Sequence, residues 1–146
     1  MLQLTSSMGT VNGALGSMSA AGNTNLTVGL AWGFSMLTPS APFSGAVPFG
    51  TPGVYKSLVF MTDGQNTQNR WSTTASAINA RTQAACAAIK AAGIEIYTVG
   101  TVDADAALLQ SCATDPSMSY PVTTGSEMNA AFVDIASKIS RLRLSR

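Results

Sequence analysis

Asp63 is the residue best placed for chemistry, because its carboxylate ends an apolar run. The run Ser57-Leu-Val-Phe-Met-Thr62 precedes it and Gly64 follows it. Ligands of open parallel sheets bind beyond the carboxyl ends of the strands, where a carboxylate either points into the crevice or finds another partner. An Asp-Gly pair is also a common turn signal, in which the Asp side chain caps its own turn. The pair by itself leaves both interpretations open.

An enzymatic role would make Asp63 a metal ligand or nucleophile in a Mg²⁺-dependent hydrolase or phosphotransferase. No Gly-Lys-Ser/Thr phosphate loop and no second carboxylate lie near Asp63 in the sequence. Asp103 and Asp105 are the nearest spare acids at a strand end, and we expect them to begin the following helix. The chain has no His, which excludes Ser-His-Asp and Cys-His catalysis and His-ligated zinc. A non-enzymatic role is therefore favoured.

The low content of charged residues bears on where the protein is located and on which partners it could bind. Only 10% of the 146 residues are charged, whereas soluble domains have about 25%, and this points to an exported or cell-surface protein. The net charge is +1 and the largest basic group is the tail Arg141, Arg143 and Arg146, so no nucleic-acid partner is expected. Without a long apolar stretch or a signal peptide, we expect no membrane contact by this segment and an anchoring N-terminal segment elsewhere in a parent protein.

Hydrophobic periodicity predicts an α/β fold with a mostly parallel sheet, in one domain that covers residues 1–146. Alternation of strands with helices is typical of repeated βαβ units and of a doubly wound sheet. Many Pro and Gly residues predict a long surface loop at 38–53. Strand patterns occupy 57–62, 94–100 and 120–124, and helical patterns occupy 6–20, 26–37, 74–92, 103–112 and 124–142.

Two loops resemble the metal-binding loops of the von Willebrand factor A domain. They are GNT at 22–24, which precedes a helix with GLAWG at 29–33, and TDGQN at 62–66. A Thr before a helix is ordinarily an N-cap. By the resemblance, Thr24 is instead the threonine ligand, and Asp63 the carboxylate ligand, of a metal-ion-dependent adhesion site. The expected ion is Mg²⁺, or else Mn²⁺ or Ca²⁺, which takes oxygen ligands and accepts a further oxygen from a partner.

From about Leu4 to its end, the chain is similar to the carboxyl-terminal von Willebrand A region of TadG-like proteins. Those proteins belong to the bacterial Tad/Flp pilus assembly system. The resemblance implies a non-enzymatic interaction domain, located in the periplasm or at the cell surface, with a pilus or envelope protein as partner. The strings that carry it are WGFSMLTP at 32–39, LVFMTDGQN at 58–66, CAAIKAAGIEIYTV at 86–99, LQSCA at 109–113, AFVDIA at 131–136 and LRL at 142–144.

The resemblance also implies that the front of the domain is missing. In that family a central strand and its Asp-x-Ser-x-Ser loop come first, and we expect both to be absent from this sequence. We therefore expect a sheet that lacks its first strands, including the central one. With one hydroxyl and one carboxylate left, this chain should bind a metal weakly or not at all, whereas the complete domain should bind one. The strand that ends at Asp63 is expected to self-associate through an unpaired edge.

Cys86 and Cys112 have two interpretations. They are either independent buried thiols that act as small apolar side chains, or a disulfide. Consecutive right-handed crossovers place the helix with Cys86 beside the helix that ends at Cys112, which makes a bridge geometrically reasonable. A bridge also suits an oxidising periplasm or cell surface, and the spacing excludes a Cys-x-x-Cys redox or zinc site.

Trp71 and Asn66 are the expected partner-binding residues. Both lie in the polar segment after Asp63, at the face where the resemblance places the metal. An exposed aromatic side chain can anchor a partner. A Trp side chain is more often packed in the protein interior, so the sequence leaves both interpretations of Trp71 open.

Overall fold

A parallel sheet with helices on both faces forms the fold, as the sequence predicts. The computed structural model describes residues 2–19 and 21–142. The predicted helix end at Ala20 and the tail residues Arg143 and Arg146 lie outside the described residues. In chain order the elements are α1 (Met8–Gly16), α2 (Leu26–Leu37), β1 (Ser57–Thr62), α3 (Ala75–Ala91), β2 (Glu95–Gly100), α4 (Ala106–Cys112), β3 (Ser119–Pro121) and α5 (Gly125–Leu142).

The sheet has the strand order β1-β2-β3, and both pairings are parallel. Leu58 lies opposite Ile96, and both belong to the apolar core shared with α2, α3 and α4. Side chains of successive strand residues alternate between faces. Tyr97 and Val99 therefore point to the other face, where they pack with Ile135 of α5. One face is therefore covered by α2, α3 and α4, and α5 covers β2 and β3 on the other face, where Val59 and Met61 of β1 are exposed.

Glycines fix two connections around β2. Gly93 has a φ of 80° and follows α3, where its N–H donates to the Lys90 carbonyl (2.9 Å), which confirms the predicted helix end. Gly100 ends β2 against α4, and a Cβ atom at this position would collide with the Leu109 side chain. The close approach of α4 to the carboxyl end of β2 therefore requires glycine.

α5 begins with a capping interaction close to the one predicted. The Thr124 hydroxyl accepts a hydrogen bond from the Glu127 N–H (3.2 Å). The reciprocal bond differs, because the Glu127 carboxylate accepts from the Thr123 N–H (2.6 Å) instead of the Thr124 N–H. This bond from Thr123 holds the pKa of Glu127 below its ordinary value.

A polar cluster fastens α5 to β3. The Tyr120 hydroxyl donates to the Asp134 carboxylate (2.7 Å), and Lys138 Nζ lies 3.1 Å from the same carboxylate. Lys138 also donates to the Tyr120 hydroxyl (2.8 Å). The hydrogen bonds from Tyr120 and Lys138 hold the pKa of Asp134 below its ordinary value.

The predicted 38–53 loop is irregular, with one isolated bridge between Ser40 and Phe43. Lys56 anchors it, because its ammonium donates to the carbonyls of Leu37 (2.6 Å) and Val47 (2.5 Å). The same ammonium lies 3.9 Å from the ring centre of Phe49. Among the helices of the described residues, none has both the length and the apolar character to cross a bilayer.

Candidate functional site

Asp63 follows β1 directly, at the carboxyl edge of the sheet. Its backbone carbonyl accepts a hydrogen bond from the Thr101 hydroxyl (3.2 Å), which joins the loops after β1 and β2. The turn itself is closed by Thr62, whose hydroxyl donates to the Gly64 carbonyl (2.9 Å) and accepts from the Gly64 N–H (3.2 Å). Within the described residues, no hydrogen bond engages the exposed Asp63 carboxylate. Thr62 closes the turn, and the carboxylate is open to a ligand.

The structure brings the Thr24 loop onto the loop that follows Asp63. The Thr24 N–H donates to the Thr67 hydroxyl (2.9 Å), and the Thr67 N–H donates to the Thr24 carbonyl (3.0 Å). Asn23 adds a bond from its amide to Gln68 (2.7 Å). The two loops that the sequence singled out therefore form one surface at this edge.

Asn66 is an internal organiser of this surface. It is 3% exposed, and its Oδ1 accepts from the Leu26 N–H (2.8 Å). Its Nδ2 donates to Asn79 Oδ1 (2.8 Å) and Thr82 Oγ1 (3.1 Å). Asn25 precedes α2 but makes no side-chain capping bond, so the distant Asn66 caps this helix. The position of Asn66 leaves its amide little access to a partner.

The network continues from α3 to α4. Asn79 Nδ2 donates to Asp105 Oδ2 (2.8 Å), and Asp105 Oδ1 accepts from the Leu108 N–H (3.0 Å). Asp105 is thus the N-cap of α4, as the sequence suggested for Asp103 or Asp105. A chain of polar side chains links the starts of α2 and α4 through α3, which positions the loops at the carboxyl edge.

Trp71 stands at the tip of a closed turn in the same loop. It is 73% exposed. Asn69 Oδ1 accepts from the Trp71 N–H (2.8 Å) and the Ser72 N–H (2.7 Å), and the Asn69 N–H donates to the Ser72 carbonyl (2.8 Å). These bonds fix the backbone on both sides of Trp71, so its exposure is a property of the folded turn.

An Asp-x-Ser-x-Ser string is present at 115–119, and the prediction from sequence overlooked it. It lies between α4 and β3, where Asp115 Oδ1 accepts from the Ser117 N–H (2.8 Å) and caps a short 3₁₀ turn. Bonds from Ser117 hold the pKa of Asp115 below its ordinary value. The string runs into β3, which pairs with β2 and is separated by β2 from the strand that ends at Asp63. It does not contribute to the Asp63 surface.

The oxygens near Asp63 and Thr24 are too few for a complete cation site. Asn25 Oδ1, next to Thr24, is buried and has no hydrogen-bond partner in the structure. Together with the Thr24 hydroxyl and the Asp63 carboxylate it makes one charged and two neutral donors, whereas Mg²⁺ takes about six oxygens. In residues 2–19 and 21–142, no three Cys, Asp or Glu side chains gather as a metal cluster. These donors alone do not fit a divalent ion.

A family model, the von Willebrand factor type A domain, matches residues 2–136 of this sequence. Among solved structures, the pilus adhesin SpaC of Lactobacillus rhamnosus GG in its open conformation superposes with a TM-score of 0.68 at 19% identity, over 89% of this chain and 20% of its own. Proximal thread matrix protein 1 of the mussel byssus gives 0.61 at 19%, over 84% and 28%. Its form with a zinc-occupied MIDAS motif gives 0.58 at 18%, over the same shares.

These similarities show a shared fold, and the chain spans at most 28% of the length of these structures. No curated protein matches the sequence.

Proposed function

Because the chain belongs to the von Willebrand factor type A domain family, we propose that it is a non-enzymatic interaction domain of adhesion type. Its binding face is the carboxyl edge of the sheet, where the Thr24 and Asp63 loops are joined by reciprocal hydrogen bonds and Trp71 is exposed. The joining of these two loops is the observation that carries the proposal. An adhesin and a matrix protein among the structures of the same fold support it.

The Thr24 hydroxyl and the Asp63 carboxylate serve as two ligands of a divalent ion in the complete domain. Mg²⁺ is the expected ion, with Mn²⁺ and Ca²⁺ as alternatives, because the donors are oxygens. This chain alone binds the ion weakly or not at all, because one carboxylate does not offset the free-energy cost of removing water from the ion. The zinc-occupied MIDAS motif of the mussel byssus protein supports metal binding in a domain of this fold.

The parent protein is a TadG-like component of a Tad/Flp pilus assembly system, placed in the periplasm or at the cell surface. The six strings that resemble the TadG-like region support this assignment, together with the low charge content and the Cys86–Cys112 disulfide, which suits an oxidising compartment. Residues 1–146 act as one domain, and the partner is a pilus or envelope protein. Nucleic acid is not a partner, because the net charge is only +1.

Calorimetric titration of Mg²⁺, Mn²⁺ and Ca²⁺ tests the metal ligands. The titrations compare this chain with a version joined upstream to the family's first strand and Asp-x-Ser-x-Ser loop. We expect binding by the extended version, its loss in Asp63→Ala, and no change in Asp115→Ala. Asp115 is the matched control, because it is an exposed aspartate close to β3, on the far side of β2 from Asp63.

Two results would contradict the metal proposal: no binding by the extended version, or equal loss in the Asp115→Ala control. Phosphatase and nuclease assays with Mg²⁺ and Mn²⁺ complete the test. Turnover that depends on Asp63 would replace the adhesion role with the enzymatic one.

A further inference from the structure

Two arginines lie close to the exposed indole of Trp71. The guanidinium carbon of Arg81, on α3, lies 4.7 Å from the ring centre, and that of Arg70, in the same turn as Trp71, lies 6.0 Å from it. Both arginines are exposed to solvent. We refer to Arg70, Trp71 and Arg81 as the tryptophan–arginine patch. Arg70 and Trp71 belong to the loop that follows Asp63, at the face proposed for binding, and Arg81 belongs to the helix that follows this loop.

Neither guanidinium of the patch has an acidic partner among the described residues. The salt bridge that the described residues do form joins Lys138 and Asp134, both on α5 and outside the patch. An arginine that stacks on an aromatic ring keeps its N–H donors free, because they point outward in the guanidinium plane. Trp71 thus has two cations within 6.0 Å of its ring centre, and attraction to the ring lowers the ordering cost of binding an anion there.

We propose that the tryptophan–arginine patch binds the carboxylates of an acidic polypeptide segment on the partner protein. This inference rests on the proposed adhesion role and names the partner chemistry of that face. Each guanidinium offers a planar fork of donors that matches a carboxylate, and the flat indole edge covers the neighbouring peptide. Trp and Arg are also the residue types that most often dominate the energy of protein interfaces.

Other classes of ligand fit the patch less well. A neutral sugar stacks on an aromatic ring but gains little from the two guanidiniums within 6.0 Å of the Trp71 ring centre. A nucleic acid requires a longer row of cations, because its binding depends on neutralising many phosphates. A peptide with two or three carboxylates needs only the two guanidiniums that are present.

Fluorescence anisotropy with a labelled peptide tests the proposal. The probe is a twelve-residue peptide in which Glu and Asp alternate with Gly and Ala, and the reference peptide carries Gln and Asn instead. We expect only the acidic peptide to bind, with affinity that falls as NaCl rises from 50 to 300 mM, since exposed charges are screened. In Arg70→Gln/Arg81→Gln we expect a loss of about tenfold or more, the scale of one hydrogen bond to a charged group.

Arg141→Gln is the matched control, because Arg141 is an exposed arginine in the last turn of α5, in another element. Its affinity should stay within about twofold of the unmodified chain, because single exposed charges contribute little at a distance. Urea unfolding of each variant separates loss of binding from loss of fold. A double variant that unfolds early is replaced by Arg70→Lys/Arg81→Lys, which keeps the charge, removes the planar fork and should also weaken binding.

Three results would overturn the inference: equal binding of the Gln/Asn peptide, undiminished binding by Arg70→Gln/Arg81→Gln in its folded state, or equal weakening by Arg141→Gln. Binding of a heparin oligosaccharide in place of the acidic peptide would also overturn it, in favour of an acidic polysaccharide. All measurements are made in EDTA and repeated with Asp63→Ala. Failure of the metal site therefore leaves peptide binding intact, and failure of the patch leaves the calorimetric result intact.

Discussion

At the scale of single residues, Asn66 holds together the segments that carry the candidate ligands Thr24 and Asp63. Its amide joins the start of α2 to α3, and it is the acceptor for the buried Leu26 N–H. Asn25, the residue in the N-cap position, makes no such bond. Truncating Asn66 would leave a buried donor without a partner, which is costly in a protein interior.

We expect Asn66→Ala to lower the free energy of unfolding by about 2 kcal/mol, because one buried N–H loses its acceptor and two donors of the network disappear. Urea denaturation measures the change. Gln68→Ala is the control, since Gln68 is exposed and makes one side-chain bond, to Asn23. Its effect should be within about 0.5 kcal/mol, as for most surface substitutions. Equal effects of the two substitutions would show that the buried network does not stabilise the loops.

At the scale of elements, a disulfide and a lysine join α3 to the carboxyl end of α4. Cys86 and Cys112 form a disulfide with a Cα–Cα distance of 5.1 Å, and both residues are buried. Beside it, Lys90 Nζ donates to the carbonyls of Ser111 (2.9 Å) and Ala113 (3.2 Å) at the end of α4. A cation at the carboxyl end of a helix also interacts favourably with the helix dipole. The two helices are therefore adjacent, as predicted from the crossover connections.

We expect loss of the bridge in Cys86→Ala/Cys112→Ala to lower the free energy of unfolding by about 2–4 kcal/mol, mainly because the unfolded chain regains freedom. Denaturant unfolding of the variant, and of the chain with and without reductant, measures this. Thiol titration of the denatured, unreduced protein should find almost no free thiol. Two reactive thiols would refute the bridge.

At the scale of the molecule, β1 presents an open edge. The carbonyls of Lys56 and Thr62 accept hydrogen bonds from the N–H groups of Glu95 (3.1 Å) and Thr101 (3.2 Å), so every second residue of β1 directs its backbone N–H and C=O toward β2. The residues between them are Ser57, Val59 and Met61, and their backbone groups point away from β2. Among the described residues no strand pairs with that side, and β1 contains no Pro or charged residue that would block pairing.

We therefore expect the chain to self-associate through β1, and Val59→Lys to shift it toward monomer. Val59 is 39% exposed in the middle of the strand, where a Lys opposes edge-to-edge pairing. Multi-angle light scattering measures the mass over a range of concentrations. Val102→Lys is the control, because Val102 is 74% exposed in the turn after β2 and should leave the mass unchanged. A monodisperse monomer with cooperative unfolding would contradict the expectation.

The sequence alone determined the element order, the parallel sheet and the position of Asp63 after β1. These features follow from local signals, because hydrophobic period, turn residues and helix ends are read within a few residues of each other. Gly93 ends α3 where predicted, and Asp105 begins α4. The family resemblance added the pairing of the Thr24 and Asp63 loops.

Only the tertiary structure decided the environment of the loop residues. Asn66 and Trp71 lie five residues apart in one polar segment, yet one is 3% and the other 73% exposed, because the first bonds to α2 and α3 while the second stands at the tip of a turn beside two arginines. The Asp-x-Ser-x-Ser spacing at 115–119 runs into β3, on the far side of β2 from Asp63. Burial and position depend on which distant segments meet, and no local pattern encodes those contacts.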